Sequence, residues 1–198
     1  MSRKNLDEIP VMTQKGQHSR DRIIGKANRL FYTKGYNQTS FADVANDVGI
    51  TKGNLHYHFR SKDDLLESVI DYRLKTITEQ LAQWDEQFPD AKDKLRRFAQ
   101  MLLNEQNDLV RYGCPLGSLN VELGKCQLNL KSKAKQMFDL FQQWLEKTFK
   151  ELGKKNSKSL SQHLIAMAQG AALVGYVYSD AKLIKEEYKN INDWIDSL

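Results

Sequence analysis

The chain has 198 residues, of which 40% are apolar, so it can form one large or two small domains with a packed core. Its excess positive charge lies at the front. Residues 1–62 carry 11 Lys or Arg and 5 Asp or Glu, a balance of +6, whereas residues 63–198 carry 19 and 20, a balance of −1. No run of about 18 apolar residues suggests a transmembrane helix, and no secretory signal is evident, so we expect a cytoplasmic protein that does not enter membranes.

Several classes of chemistry find no support in the sequence. Cys114 and Cys126 lack the spacing of a zinc site or a disulfide framework, and His56 with His58 makes a poor metal pair. The common hydrolase, metalloprotease, phosphate-loop and dinucleotide-binding motifs are missing. We therefore expect no enzyme, no metal and no cofactor. Few prolines and no alternating β-branched segments predict a nearly all-helical fold.

Residues 1–17 mix charges with Pro10 and Gly16, which predicts a mobile arm. Its basic side chains, Arg3, Lys4 and Lys15, would either touch DNA or belong to an ordinary disordered start. Helical spacing of apolar residues from 19 to 34 predicts a first helix that Gly35 stops.

A second, short helix follows Ser40. Apolar residues at 41, 44, 45 and 48 form one stripe, Ser40 and Asp43 have the spacing of a capping box, and Gly49 can end the helix in a left-handed conformation. The hydroxyls of Thr39 and Ser40 lie near the start of this helix, where they could contact a DNA phosphate. The alternative for Ser40 is that it only caps the helix.

Thr51 opens a third helix in which Leu55 and Phe59 can point back at the second. Lys52, Asn54, His56 and Tyr57 are left facing outward. Two short helices joined by a three-residue turn form a helix-turn-helix, at about residues 40–59, whose second helix would enter the DNA major groove. The excess of positive charge in residues 1–62 agrees with DNA binding. The alternative is that these charges form a basic face in contact with solvent.

The run from Gly49 to Lys62, followed by Asp63-Asp64-Leu65-Leu66, resembles the recognition-helix signature of the TetR family of bacterial transcriptional repressors. The segment Phe31-Tyr32-Thr33-Lys34-Gly35-Tyr36 lies at the expected distance before it. The resemblance covers about the first third of the chain. It implies DNA contacts by Thr39, Ser40, Thr51, Lys52, Gly53, Asn54, His56, Tyr57, His58 and Lys62. His56 departs from the family, whose members commonly have an aromatic hydroxyl there.

The remaining pattern predicts a long helix capped by Ser61 and ending near Pro89, then helices over about 90–111, 115–124, 129–152, 159–179 and 181–197. The expected architecture is all-α with about nine helices. A DNA-binding domain of three helices would occupy residues 1–62, and a helical ligand-binding and dimerisation domain residues 63–198. In the TetR family the two C-terminal helices pair across a twofold axis, so the resemblance implies a homodimer, although internal packing could also explain those helices.

Aromatic and apolar residues of the second domain suggest an effector pocket between its helices, or simply a core. The candidate lining residues are Trp84, Phe98, Met101, Leu102, Tyr112, Cys114, Phe138, Phe141, Trp144 and Tyr178, with Tyr112, Asn120 or Gln142 as polar anchors. Cys114 precedes Pro115 at a helix N-terminus, where a thiolate is stabilised, so it is either a sensor of oxidants and electrophiles or a buried small hydrophobe.

The sequence thus predicts a DNA-binding transcriptional repressor released from a palindromic operator by a small molecule or an electrophile. A transcriptional activator of the same build and a non-catalytic helical adaptor that binds proteins remain as alternatives.

Overall fold

The computed structural model describes residues 14–126 and 128–198, and these form ten helices without a strand. The predicted arm residues Arg3 and Lys4 lie outside the described residues. The helices are α1 (Gln14–Thr33), α2 (Phe41–Val48), α3 (Lys52–His58), α4 (Lys62–Gln87), α5 (Ala91–Asn104), α6 (Gln106–Tyr112), α7 (Pro115–Cys126), α8 (Leu128–Glu151), α9 (Ser157–Tyr178) and α10 (Ala181–Asp196). The all-α prediction with an N-terminal helix-turn-helix is confirmed.

The first three helices pack around a small core. Ile23, Ala27 and Phe31 of α1 are buried together with Val44 of α2 and Leu55 of α3. α1 contacts both α2 and α4, and α2 contacts α3. The position of α3 therefore depends on α1, since α1 lies between the helix-turn-helix and the rest of the chain.

The other helices surround α4 and α8. α4 packs on α8, α8 on α7 and α9, and α10 on α9 and α5. At 26 residues α4 spans about 39 Å. Near its far end, Asp85 and Glu151 both pair with the buried Lys94, each at 3.0 Å. One helix thus runs from the helix-turn-helix to the opposite end of the molecule.

Three helix bounds differ from the sequence expectation. α1 begins at Gln14, so the last residues of the predicted arm, Lys15 among them, are helical. The helix expected over 90–111 is divided at Glu105, whose N–H bonds to Met101 O while its carbonyl starts α6. α7 continues through Gly124 to Cys126, because glycine lowers helix stability without forcing a stop.

Small side chains let α9 and α10 approach closely. A Cβ added to Gly175 would lie 2.6 Å from Cγ1 of Ile184, so only glycine fits at this crossing. The apolar stripe of α10 is buried inside the chain through Ile184, Ile191 and Ile195, whereas the outward positions of α10 are polar. α9 instead keeps an exposed apolar face.

Candidate functional site

The start and end of α2 are fixed by local hydrogen bonds. The Asp43 N–H donates to Ser40 Oγ at 3.0 Å, and the Ser40 N–H donates to Asp43 Oδ2 at 2.8 Å, which completes the predicted capping box. Gly49 ends the helix with φ of +76°, a conformation that glycine adopts without strain. These contacts set the turn that leads into α3.

α3 has one buried side and one free side. Leu55 and Phe59 are fully buried against the first helices, and the Thr51 hydroxyl caps α3 by accepting the Asn54 N–H at 3.2 Å. The predicted outward residues are all exposed, with Tyr57 78% exposed. The exposed surface of α3 and its flanks comprises Thr51, Lys52, Gly53, Asn54, His56 and Tyr57.

The two histidines of α3 differ in their surroundings. His56 is exposed and packs against Phe41, with ring centroids 4.8 Å apart. His58 is half-buried, and its Nδ1 has no hydrogen-bond partner. Burial, together with the charge of nearby Arg20, lowers the pKa of His58 below its ordinary value. His58 therefore lies at the margin of the exposed face.

Two of the residues expected to contact DNA have side chains that are already engaged. Thr39 is completely buried, and its hydroxyl donates to Gly35 O at 2.7 Å, so that side chain cannot reach a phosphate. The Lys62 Nζ donates to the carbonyls of Tyr36 and Thr39, both at 3.0 Å, and lies over the Tyr36 ring. Both residues hold the α1–α2 turn together. Ser40 remains exposed at the start of α2.

A cavity of about 400 Å³ lies between seven helices, α1, α4, α5, α6, α7, α8 and α9. Six predicted residues line it: Phe98, Met101, Leu102, Cys114, Phe138 and Phe141. The sequence did not indicate the polar contribution of α1 and α4, which supply Asn28, Arg29, Tyr32, Tyr72, Arg73, Thr76 and Gln80. The cavity therefore adjoins α1, the helix on which the helix-turn-helix packs.

Four predicted pocket residues lie outside this cavity. Trp84 and Trp144 are buried against each other, with ring centroids 5.6 Å apart, and belong to the core. Tyr112 packs edge-on against Tyr32, and Tyr178 is 71% exposed at the end of α9. The proposed anchors Asn120 and Gln142 also fall outside the lining; the Asn120 amide bonds to the carbonyl of Leu116.

Arg73 is the most buried charged group of the cavity, with 8% of its surface exposed. Its Nε donates to Asn28 Oδ1 at 2.6 Å and its Nη1 to Pro115 O at 2.9 Å, which joins α4 to α1 and to the start of α7. Burial lowers the pKa of Arg73 to about 10, so it stays cationic at neutral pH. A local signal existed, because Arg73 interrupts the apolar stripe between Ile70 and Ile77.

Cys114 lines the same cavity at the start of α7. Its Sγ accepts the Gly117 N–H at 3.4 Å and the Gln169 amide at 3.3 Å, so the thiol acts as a cap of α7. It is partly buried and unpaired with another cysteine among the residues described. The two predictions from the sequence were a sensor of oxidants or electrophiles and a buried small hydrophobe; Cys114 is only partly buried, and its thiol lines the cavity.

Within the described ranges no helix has the length and apolar character needed to cross a membrane. The same residues contain no group of three or more His, Cys, Asp or Glu side chains placed to hold a metal ion. The exposed face of α3 and the cavity are the candidate sites among the described residues.

The model for "Bacterial regulatory proteins, tetR family" matches residues 23–69, which span the end of α1 through the start of α4. An uncharacterized HTH-type transcriptional regulator from the lacX 3′ region of Lactococcus lactis is 24% identical over 87% of this chain and 90% of its own length. The HTH-type transcriptional regulator TtgR of Pseudomonas putida is 34% identical, over 49% of this chain and 45% of its own.

Similarity among solved structures extends over the whole fold. A TetR transcriptional regulator from Legionella pneumophila superposes with a TM-score of 0.79 and 26% identity, covering 96% of this chain and 98% of that one. The match therefore includes the cavity-bearing helices as well as the helix-turn-helix. From the matched motif, the relatives and this shared fold, we conclude that the chain belongs to the TetR family of DNA-binding transcriptional regulators.

Proposed function

We propose that this regulator is a repressor that occupies a palindromic operator as a homodimer and leaves it when a ligand fills the cavity. The observation that carries the proposal is the position of the cavity. It touches α1 through Asn28 and Tyr32 and α4 through Arg73 and Ile77, and α1 supports the helix-turn-helix.

DNA reading is assigned to the exposed face of α3. Lys52 and Asn54 can hydrogen-bond base edges in the major groove, while Tyr57 and His56 can reach phosphates. Ser40, Thr51, Gly53 and His58 border this face. Because the opposite side of α3 is fixed by Leu55 and Phe59, the helix would meet DNA as a rigid element.

Dimerisation is assigned to the exposed apolar face of α9. Leu173 and Val177 are 62% and 65% exposed, and Ala166, Gly170 and Val174 continue the same face. A large exposed apolar stripe favours association, and the neighbouring polar surface of α10 would form its rim. Two recognition helices spaced by about one DNA turn would then read a palindrome.

The two proposed domains would have different functions: residues 1–62 would bind DNA, and residues 63–198 would bind the ligand. The cavity crosses that boundary through α1. A ligand that binds more tightly to the form with displaced α1 would shift the population away from the DNA-competent form. The signal is either a small molecule that binds reversibly in the cavity or an electrophile that modifies Cys114.

Selection of operator sequences tests the repressor assignment first. Purified protein is incubated with random duplex DNA at about 0.15 M salt, which suppresses nonspecific phosphate binding. We expect a palindromic consensus. Placing that consensus over a promoter in a reporter assay then separates repression from activation. Sequence-blind binding alone would contradict the operator proposal and favour the protein-binding adaptor.

Substitutions on α3 test the proposed contacts. Lys52→Ala and Tyr57→Ala should each weaken operator binding by about 1–3 kcal/mol without lowering stability, because both side chains are exposed. Lys155→Ala is the matched control, since it removes an equal charge from the exposed loop between α8 and α9, beyond the far end of α4. Unchanged affinity in both α3 variants would refute the assignment.

A thiol-blocking experiment separates the two signals. Protein alkylated at Cys114 should lose operator affinity if an electrophile is the signal, and a Cys114→Ser variant should be insensitive to the same reagent. Unchanged operator affinity after complete alkylation would eliminate the electrophile and leave the reversible ligand.

A further inference from the structure

Arg73 is a buried cation. Its hydrogen bonds go to neutral oxygens, those of the Asn28 side chain and the Pro115 carbonyl, with a longer contact of 3.5 Å from Nη2 to Asn28 O. Among residues 14–126 and 128–198 no carboxylate forms an ion pair with it. A buried charge is costly unless an opposite charge balances it.

The hydrogen bonds also leave part of the guanidinium fork available. Arginine has five N–H donors, and the contacts of Arg73 occupy three of them. Since Arg73 lines the cavity, a ligand can meet the remaining donors. A carboxylate matches the planar fork with two parallel hydrogen bonds, which are among the stronger ones in proteins.

The rest of the cavity complements this cationic end. Phe98, Leu102, Phe141, Ala168 and Ala172 provide apolar walls. The other arginine of the lining, Arg29, already pairs with Asp108 at 2.8 Å. Glu105 also lines the cavity, and burial together with the charge of Asp108 raises the pKa of its carboxyl group, which favours the uncharged form of this side chain.

We propose that the cavity binds a small amphipathic carboxylate, whose carboxyl group pairs with Arg73 and whose apolar part packs between the phenylalanines. This deepens the proposed function and rests on the cavity being the effector site. Because Arg73 also holds Asn28, a carboxylate that draws the guanidinium toward the cavity would loosen the bond between α4 and α1. The ligand would thus act on α1, the helix on which the helix-turn-helix packs.

The test compares carboxylates with their neutral amides, which have nearly the same shape. Octanoate and octanamide, decanoate and decanamide, and phenylacetate and phenylacetamide are titrated into the full chain by calorimetry. We expect at least one carboxylate to bind about tenfold more tightly than its amide, as a charge-assisted hydrogen bond predicts. If no carboxylate binds more tightly than its amide, the proposal is wrong.

Three variants identify the residue responsible. Arg73→Gln should abolish the preference for the carboxylate, and Arg73→Lys should retain part of it. Arg97→Gln is the matched control, because Arg97 lies over the Trp84 ring outside the cavity lining. A preference that persists in folded Arg73→Gln protein, checked by circular dichroism, would overturn the assignment even if wild-type protein prefers carboxylates.

The same compounds are then added to the protein–operator complex. Release by the amides as well as the carboxylates, with equal affinity, would preserve the effector cavity and overturn the anion preference. Preferential binding of a carboxylate without release of the operator would support the ligand class while contradicting its role as the release signal.

Discussion

The backbone N–H of Asn37 donates a hydrogen bond of 2.9 Å to Oε2 of Glu122, which ties α7 to the turn between α1 and α2. The first residues of α7, Pro115 and Leu116, line the cavity. One helix therefore contacts the cavity at its start and the helix-turn-helix segment near its end. Together with the Arg73–Asn28 bond, this gives two physical connections between the cavity and the proposed DNA-binding segment.

Glu122→Ala should lower the free energy of unfolding by about 1 kcal/mol, because the Asn37 N–H loses a charged acceptor. Glu122→Gln keeps an acceptor oxygen of similar reach and should recover most of the loss. Urea unfolding of the three proteins measures the difference. If Glu122→Ala is as stable as wild type, the bond does not secure the turn.

Gly49→Ala should destabilise the protein by about 1 kcal/mol, because φ of +76° is strained for any residue with a Cβ. Gly25 provides the matched control. It lies within α1, and a Cβ there would meet no atom within 4 Å, so Gly25→Ala should raise stability by about 0.5–1 kcal/mol. Thermal unfolding of both variants measures whether stability falls in Gly49→Ala and rises in Gly25→Ala. A neutral Gly49→Ala would contradict the strain argument.

His58 should make stability decrease in mild acid. Its folded-state pKa is lowered by burial and by Arg20, so the unfolded chain binds a proton at a higher pH than the folded chain does. Stability is therefore complete above the ordinary histidine pKa of about 6.5 and is lost as pH falls from there toward the lower folded-state value.

Urea unfolding at several pH values between about 8 and 5 measures this effect. His58→Gln removes the titrating ring and should show a smaller decrease than wild type over that window. Identical pH profiles would mean that other groups account for the acid sensitivity.

The helix-turn-helix was predictable because its determinants are local. The Ser40–Asp43 box, the left-handed Gly49 and the inward Leu55 and Phe59 act within one or two turns of helix. The places where Thr39 and Lys62 differ from expectation depend on tertiary contacts. Both are engaged by the α1–α2 turn, which residue type and spacing do not reveal.

The cavity was only partly predictable, since its lining comes from seven helices spread along the chain. Phe98 and Phe141 were identified by their type, but the same reasoning selected Trp84 and Trp144, which the fold places against each other in the core. Arg73 was visible in the sequence as a charged residue on the apolar stripe of α4. The role that we propose for Arg73 depends on its burial and on the lack of a carboxylate partner among the described residues, which only the packed structure shows.

The exposed face of α9 leads to the last prediction. Leu173→Glu combined with Val177→Glu places two charges on the apolar stripe and should convert a dimer into a monomer, because like charges would face each other without solvent. Both side chains are exposed in the single chain, so the helical content and the binding of cavity ligands should remain. Gln143→Glu introduces the same residue on the exposed side of α8 and should leave the dimer intact.

Analytical ultracentrifugation gives the mass of each protein, and operator titration gives the consequence. A monomer presents one recognition helix, so it should bind a single half-site weakly and gain nothing from the second half of a palindrome. If the α9 variant remains a dimer with wild-type operator affinity, the twofold interface lies elsewhere and the exposed stripe has another occupant. If it is monomeric and still binds the full palindrome as tightly as wild type, dimerisation through α9 is not what positions the two α3 helices on DNA.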